Sequence, residues 1–373
     1  MKRIKSAISK SLIRLLKAAG YPWRAHGPEG GRFLVISATG VGDTLWSTPA
    51  IRAIKAAYPE SKIDVVTTSL GRELLLHNPN MDDIFTFKRG AKGALPLIRL
   101  AMELRGRRYD AAFLFHISDR LLVPLMFLAG AGRAYGYNGK YDELAAVLDE
   151  TVKGEGLHFI ERRLLVAAAR GIRPNGRGLD LVLTEAERAE ARGLLIERGV
   201  DGSSPVIGIH PGAHDAFKCW PERNFIELGL RAERELGCKV IVTGGPAEVK
   251  LARRVAEAIG GSICLAGELS VRELAATISH LDALVANDTG PMHMGFALGV
   301  NTVGLFCPTD PALNGPLDAP NSYVLSMPPT CDKCIFRKCK HPVCMEQITV
   351  QMAFDALARA LHAKAHPVAH GAN

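Results

Sequence analysis

The most informative acidic residue of this sequence stands after a glycine-rich turn. Gly40, Gly42 and Asp43 follow the short apolar run 32–37. Glycine lets the backbone turn tightly and lets a ligand approach closely, and open parallel sheets bind ligands outside the carboxyl ends of their strands. Asp43 is therefore a candidate general base toward a hydroxyl group. Two other interpretations stay open: Asp43 caps a helix, or the turn belongs to a dinucleotide site, whose fingerprint needs glycine where Leu45 stands.

Three segments of the second half have the residue types that bind a nucleoside diphosphate. The Gly290-Pro291 pair follows the apolar run 283–286 and predicts a helix start, where unpaired amides and the helix dipole favour an anion. Lys218 is a mobile cation suited to a phosphate, while Glu248 contacts ribose hydroxyls or favours a helix N-terminus. The predicted donor-binding residues are Gly212, Ala213, Lys218, Glu248, Asp288, Thr289, Gly290, Pro291, Met292 and His293. The alternative is that Asp288 only caps the helix and Pro291 occupies its first turn. That alternative does not explain the position of His293.

Metal chemistry is expected at one place only, and there in a structural role. The sequence contains no Asp-x-Asp pair, so Lys218 and helix amides, not a divalent cation, are predicted to stabilise a leaving diphosphate. Catalysis is expected to need no cofactor. Four cysteines at zinc-knuckle-like spacing predict a structural zinc site, with free thiols or a local disulfide as alternatives; they are Cys331, Cys334, Cys339 and Cys344.

The rest of the sequence predicts an α/β fold with two domains. Short apolar runs alternate with amphipathic stretches, which is typical of strand–helix repeats around a parallel sheet, and 373 residues suit two such units. The alternation restarts at 205, after a Pro/Gly-rich stretch at 173–178 and a polar helix at 184–198. The predicted organisation is an extension at 1–30, a Rossmann-like domain at 31–180, a linker with a helix at 181–204, a second Rossmann-like domain at 205–350 with a cysteine-rich loop at 331–344, and a helix and tail at 351–373.

The charge is concentrated in the first half. Residues 1–180 contain 28 Lys and Arg against 17 Asp and Glu, which gives +11, and the remainder carries −3, for the total of +8. A basic surface attracts anionic partners, and the alternative is that these Lys and Arg side chains are solvated and have no partner. Residues 4, 8, 12, 15 and 19 are apolar and would share one face of a basic amphipathic helix, which would lie on an anionic membrane surface or pack on the domain. No apolar run approaches the roughly 20 residues of a membrane span. The sequence has no secretory signal pattern, so we expect a cytoplasmic protein, peripheral at the inner face of the inner membrane.

These motifs in combination resemble those of glycosyltransferase family 9, the heptosyltransferases of lipopolysaccharide core synthesis. The resemblance covers residues 32–350 and is carried by the runs 33–67, 210–225 and 288–310, in particular Gly-Asp followed by Pro-Ala-Ile-Arg-Ala, and Asn-Asp-Thr-Gly-Pro-Met-His. It implies a GT-B fold, in which two facing Rossmann-like domains border an interdomain cleft. The acceptor would bind the first domain and the nucleotide-sugar the second. It also implies inversion at the anomeric carbon without a metal.

The resemblance also assigns roles to single residues. Asp43 matches the general base, Lys218 the lysine on the diphosphate, Glu248 the acid on the ribose, and 288–293 the loop under the donor phosphates. The chain departs from the family at one place. Some members have hydroxyl side chains that contact the phosphate where this sequence has Gly212, Ala213 and a histidine. The expected reaction moves a heptose or similar sugar from an ADP-sugar to a lipopolysaccharide inner-core or lipid A acceptor. Acidic groups of that glycolipid would meet Gly40, Gly42, Arg105, Arg107, Arg108, Arg120 and Arg133, with Arg99 as a further candidate.

Two other classes of protein fit part of the sequence. One is another GT-B enzyme, either a transferase or an epimerase, with a different nucleotide-sugar donor. The other is a nucleic-acid-binding protein with a zinc knuckle, which the basic charge and the cysteine spacing would favour. Because the positive charge lies in the half without the cysteines, no nucleic-acid partner is expected.

Overall fold

The computed structural model describes residues 2–19, 24, 27, 29–87, 95–117, 121–137, 147–331, 339 and 343–363, and within these the side chains of 2–6, 8, 9 and 117 are left aside. The chain divides into two compact units, Met1–Arg177 and Gly178–Asn373. Each contains one six-stranded parallel sheet with helices, which confirms the predicted α/β class. No helix of the described part of the chain is long and apolar enough to cross a membrane.

The sheet of the first unit has the strand order β3-β2-β1-β4-β5-β6. Its strands are β1 (Arg32–Ala38), β2 (Lys62–Thr67), β3 (Asp83–Thr86), β4 (Ala111–Ile117), β5 (Arg133–Tyr137) and β6 (Glu150–Val152). The order reverses at β1, where β2 lies on one side and β4 on the other. Because crevices form at the carboxyl ends of strands at such a reversal, the turn after β1 is the favoured ligand position.

Helices cover both faces of this sheet. They are α1 (Lys2–Ala18), α2 (Val41–Leu45), α3 (Thr48–Ala57), α4 (Ser69–Leu75), α5 (Leu95–Gly106), α6 (Leu122–Ala129) and α7 (Phe159–Ala168). On one face α1, α5 and α6 share an apolar cluster with alternate residues of β1. On the other, α3 packs with α7, and Phe33 contacts Tyr58 and Phe113 edge to face. Helices on both faces are what a parallel sheet needs when its strands are apolar along their whole length.

The second unit repeats the architecture with the order β12-β11-β10-β7-β8-β9. Its strands are β7 (Val206–His210), β8 (Lys239–Val242), β9 (Ile263–Cys264), β10 (Ala283–Asn287), β11 (Asn301–Phe306) and β12 (Ser322–Ser326). Its α-helices are α8 (Glu185–Glu197), α9 (Glu222–Leu236), α10 (Val249–Ile259), α11 (Val271–Ile278), α12 (Gly290–Leu298), α13 (Pro311–Asn314) and α14 (Val350–His362), with 3-10 turns at Ala216–Lys218 and Val343–Gln347. The order reverses between β7 and β10, so the loops that follow these two strands lie at the same carboxyl edge.

The helix predicted in the linker belongs to the second unit. A capping box of Thr184 and Glu187 starts α8, and the Arg272 guanidinium of α11 donates to both carboxylate oxygens of Glu187. That arginine is nearly buried, and its bidentate ion pair fixes α8 on α11. The segment is therefore a packed part of the second unit.

The N-terminal helix packs on its unit with a different face from the one predicted. Ile13 is 2% exposed and joins the cluster around α6, with Leu16 partly buried beside it. Leu15, which the helical spacing placed on the apolar face, is 68% exposed, and Ala19 is exposed as well. Among the described side chains, packing on the domain thus accounts for Ile13 and Leu16 and leaves Leu15 in solvent.

Candidate active site

The carboxylate of Asp43 lies at the carboxyl end of β1, in the first turn of α2. Gly40 is the N-cap of α2 and no side chain caps it, so the capping interpretation of Asp43 is wrong. Instead, the Asp43 carboxylate accepts a hydrogen bond from Arg163 Nη2 at 2.9 Å and one from the Thr39 hydroxyl at 3.3 Å. The side chain keeps 31% of its surface exposed. It is thus held in place and still open to a ligand.

Arg163 of α7 is the buried counter-charge of Asp43. Its side chain is 3% exposed, its Nε donates to the Ser47 hydroxyl at 3.1 Å, and its Nη1 donates to the Phe159 carbonyl at 2.7 Å. Burial lowers the pKa of Arg163, and the neighbouring Asp43 opposes that shift. A buried cation without a partner is strongly unfavourable, so a negative group at 43 stabilises the fold.

The break between α2 and α3 serves the same cluster. The pattern of residues 44–57 by itself predicts one helix that Pro59 ends, but α2 ends at Leu45 and α3 begins at Thr48. Pro49 stands in the first turn of α3, where its missing N–H is tolerated, and it cannot continue a preceding helix. The turn between the two helices contains Ser47, whose hydroxyl contacts Arg163.

His116 is a further polar side chain at this edge that the sequence reasoning missed. It lies near the carboxyl end of β4, the neighbour of β1, and its Nδ1 is 3.9 Å from Asp43 Oδ1. Its side chain is 40% exposed. A Cβ at Gly40 would meet no atom within 4 Å, so there is open space beside the turn. The rule that carboxyl ends of adjacent strands meet would have found His116, whereas no local signal marks Arg163.

The predicted acceptor arginines do not lie with Asp43. Arg133 is the first residue of β5, and Arg105, Arg107 and Arg108 lie between the last turn of α5 and the start of β4. They are therefore at the amino ends of the strands, whereas Asp43 follows a carboxyl end. A seven-residue strand such as β1 spans roughly 20 Å. Arg120 lies outside the described residues.

Arg107 has a structural role instead. Its guanidinium donates to Asp83 and, at 3.2 Å, to Asp64, whose side chain is fully buried. Burial raises the pKa of Asp64, against the effect of the Tyr109 hydroxyl and of the arginines. Because an unpaired buried carboxylate is costly, Arg107 supports the fold rather than an acceptor.

In the second unit, Lys218 and His293 converge on Asp288. Lys218 Nζ is 2.6 Å from Asp288 Oδ2, and His293 Nε2 is 3.7 Å from Oδ1. The Asn314 amide also donates to Oδ2 at 3.0 Å. Burial opposes the ionisation of Asp288, but the neighbouring His293 side chain and the Lys218 ammonium prevail and lower its pKa. Asp288 is therefore an anion that orients Lys218 and His293.

The start of α12 offers backbone rather than side-chain contacts. Its N-cap is Thr289, without a side-chain cap hydrogen bond, which confirms the predicted helix start at Gly290. Thr289 and Gly290 are half-buried, whereas Pro291 and Met292 are buried. The Met292 sulfur lies under Gly304, where a Cβ would approach it to 2.7 Å. Met292 and Pro291 thus belong to the core, and ligand access is through the first two residues.

Glu248 packs between the loops that follow β7 and β8. Its Oε2 accepts the Gly245 N–H at 2.7 Å and lies 3.4 Å from His210 Nε2. Burial acts to raise the pKa of Glu248, but the neighbouring His210 outweighs it, so the pKa is lowered. A Cβ at Gly212 would come within 2.2 Å of the Glu248 carboxyl group, so any larger residue at 212 would displace that group. Ala213, the next predicted residue, is half-buried.

Asn287, which the sequence reasoning left without a role, joins these loops. Its Oδ1 accepts the Trp220 N–H at 2.9 Å, and its Nδ2 donates to the carbonyls of Pro211 and Gly212. The loops after β7 and β10 and the segment before α9 are thereby fixed at one edge. The structure brings the predicted donor residues together there.

The predicted zinc ligands are only partly described. Cys344 is 8% exposed and packs in the apolar core with Met345 and Ile348, Cys331 is exposed and Cys339 is half-buried. Cys334 lies outside the described residues. Within the described ranges, no group of three or more His, Cys, Asp or Glu residues is placed to hold a metal ion.

The chain has two doubly wound parallel units. One holds a fixed carboxylate at the carboxyl edge of its sheet, and the other holds a lysine and a helix start at the carboxyl edge of its own sheet. These features define an α/β protein of the GT-B class, as predicted. A family model described as glycosyltransferase family 9 (heptosyltransferase) matches residues 97–344. That is more than half of the chain. The chain belongs to this family and is a glycosyltransferase, which confirms the resemblance noted in its motifs.

Individual relatives agree with the family. The chain is 29% identical over 304 residues to lipopolysaccharide heptosyltransferase 2 of Salmonella typhimurium, which covers 77% of this chain and 85% of the relative. It is 24% identical over 326 residues to lipooligosaccharide heptosyltransferase 2 of Campylobacter jejuni, which covers 85% and 94%. Among solved structures, a family 9 glycosyltransferase from Veillonella parvula superposes with a TM-score of 0.78 at 23% identity, covering 89% of this chain and 97% of that one. Escherichia coli ADP-heptose lipopolysaccharide heptosyltransferase II gives 0.72 at 24% identity, with 88% and 98% covered.

Proposed function

We propose that this glycosyltransferase moves a heptose from ADP-heptose to an acidic lipopolysaccharide inner-core acceptor, with inversion at the anomeric carbon and without a metal. The names of the relatives, lipopolysaccharide and lipooligosaccharide heptosyltransferases, support the substrate classes. The observation that carries the proposal is the Lys218 ammonium held by Asp288 at the edge where α12 begins. A leaving diphosphate is stabilised by a fixed positive charge of this kind next to the amides of a helix start.

The donor site works through fixed positive charge. An ammonium group has three N–H donors, and Lys218 directs two of them to the carboxylate and the carbonyl of Asp288. The third is directed to a diphosphate oxygen in our proposal, together with the backbone amides at the start of α12. Such preorganised charge stabilises the leaving ADP more in the transition state than in the ground state. Glu248 would contact the ribose.

The acceptor side works through Asp43. The acceptor hydroxyl oxygen attacks the anomeric carbon, its proton passes to the Asp43 carboxylate, and the bond from the anomeric carbon to the diphosphate oxygen breaks. A single displacement of this kind inverts the anomeric centre. General-base help contributes about a hundred- to ten-thousand-fold to the rate, and Arg163 keeps the carboxylate oriented.

A donor screen tests the proposal. We expect ADP-heptose to raise the melting temperature, because a ligand that binds only the native state stabilises it, and UDP- and GDP-sugars to leave it unchanged. A second step measures ADP release with a deacylated, heptose-free inner-core acceptor. Stabilisation by a UDP- or GDP-sugar alone would point to the other GT-B enzymes. Release of ADP from ADP-heptose in the absence of an acceptor would contradict the proposed transfer reaction.

The place of action is the second part of the proposal. We propose that the protein is cytoplasmic and works at the inner face of the inner membrane, where its glycolipid acceptor is exposed. The described part of α1 supports this: Arg14 and Lys17 are exposed, and the helix sequence contains no acidic residue. Basic residues near an anionic leaflet each contribute about 1 kcal/mol to binding.

A further inference from the structure

Helix α5 exposes a row of large apolar side chains. Leu95, Ile98 and Met102 are 59%, 46% and 54% exposed. Their spacing of three and four residues places them on one side of the helix. Among the described residues, no other helix exposes three large apolar side chains. An exposed apolar surface of this kind marks a contact site for a membrane or for another molecule.

The row borders a groove of about 550 Å³ between α5 and β3. Ile84, Phe85 and Leu100 supply its apolar wall, and its charged lining is mixed, with Arg99 and Arg107 beside Asp83 and Glu103. The Arg107 guanidinium lies 4.7 Å from the centre of the Phe85 ring. Because Arg107 is ion-paired with Asp83, the groove adds apolar surface beside the row but no net positive charge.

The same face of the sheet carries the basic helix α1. Both α1 and α5 contact α6, which is buried along its whole length. The sequence of α1 has six Lys and Arg residues and no acidic one, and its Leu15 is 68% exposed. Within α5 the only acidic residue is Glu103, against Arg99 and Arg105. The outer layer of this face is therefore basic as well as apolar.

We propose that α5 and α1 form the surface with which the protein docks on an anionic lipid bilayer. The apolar row enters the headgroup region, and the basic side chains pair with lipid phosphates, as amphipathic interfacial helices do. Positive charge beside the row favours this occupant over a second copy of the equally basic first unit. The inference extends the proposed function, because the bilayer would carry the acceptor.

Vesicle sedimentation tests the surface. The triple variant Leu95→Ser/Ile98→Ser/Met102→Ser is compared with wild type on vesicles of phosphatidylcholine alone and of phosphatidylcholine with phosphatidylglycerol. The matched control, Ile196→Ser/Leu230→Ser, removes apolar side chains that are 58% and 40% exposed in the second unit. We expect wild type and control to bind the anionic vesicles, salt to weaken that binding, and the triple variant to bind about tenfold less. Unchanged melting temperatures establish that all variants are folded.

Other outcomes would overturn the inference. Equal vesicle binding by wild type and triple variant would remove α5 from the surface, and so would failure of wild type to bind anionic vesicles. A wild-type dimer that becomes monomeric in the triple variant would make a second copy the occupant. Transfer to the deacylated, water-soluble acceptor should be the same in all variants. If wild type binds vesicles through α5 but transfers no heptose, the proposed function fails and the surface stands.

Discussion

Replacing Asp43 by asparagine separates its chemical role from its structural one. The amide cannot take up the acceptor proton, so we expect kcat to fall by about a hundred- to ten-thousand-fold. It also leaves the Arg163 guanidinium, 3% exposed, without its counter-charge. Because Asp43 itself is 31% exposed and the amide oxygen still accepts a hydrogen bond, the loss of stability should be about 2 kcal/mol. In a unit of this size that lowers the melting temperature by roughly 4–8 °C.

The first unit contains a matched control for the structural part. Asp110 pairs with Arg170 at 2.6 Å, and their side chains are 15% and 10% exposed. We expect Asp110→Asn to lower the melting temperature at least as much as Asp43→Asn and to leave kcat unchanged.

The assays are steady-state ADP release, thermal unfolding and calorimetric binding of ADP-heptose. Donor affinity should stay the same in both variants, since the predicted donor residues belong to the second unit. If Asp43→Asn keeps wild-type turnover within a few-fold, or Asp110→Asn loses as much, Asp43 is not the base.

Further predictions concern the second unit. Arg272 lowers the pKa of Glu187 to about 2 from 4.5, so this pair should stabilise the fold above pH 4.5 and progressively less as the pH falls toward 2; denaturant titrations of Glu187→Gln should accordingly show a smaller loss of stability on acidification than wild type. Lys218→Met should weaken ADP-heptose binding at least tenfold by calorimetry, since the diphosphate loses a charge-assisted hydrogen bond, and unaltered affinity would exclude Lys218 from the site. Gly212→Ala should destabilise the protein through the 2.2 Å contact with Glu248, and the added change Glu248→Ala should restore the melting temperature; a single variant as stable as wild type would contradict the packing argument. Transfer should persist in EDTA, whereas metal analysis of the purified protein tests the proposed structural zinc in the cysteine cluster.

The arrangement of elements was largely predictable because buried parallel strands leave a continuous apolar signal. The runs that became β1, β2, β7, β8, β10 and β11 are almost wholly buried. The strands that were missed, β5, β6 and β12, contain exposed or half-exposed residues and mixed polarity. β6 and β12 lie at sheet edges and β5 lies next to one, and short strands of mixed polarity share their pattern with loops.

The site was predictable wherever it follows a strand end and unpredictable wherever it depends on distant residues. Asp43, Lys218 and Gly290 stand in loops or turns next to apolar runs, so the rule about carboxyl ends located them. Arg163 is 120 positions away from Asp43 in the sequence, and no local pattern marks that pairing. The arginines were misplaced because a charge count says nothing about which end of a strand a residue occupies.

The ion-pair cluster under the first sheet has a consequence for how this enzyme can change. Asp64 and Asp83 bind Arg32 and Arg107 where the strands begin, a strand's length from the reacting groups. Stability can therefore be changed at the end of the sheet opposite the reacting groups, although the Asp43–Arg163 pair also contributes to it. Substitutions among these four residues should change the free energy of unfolding and leave the transfer reaction itself unaltered.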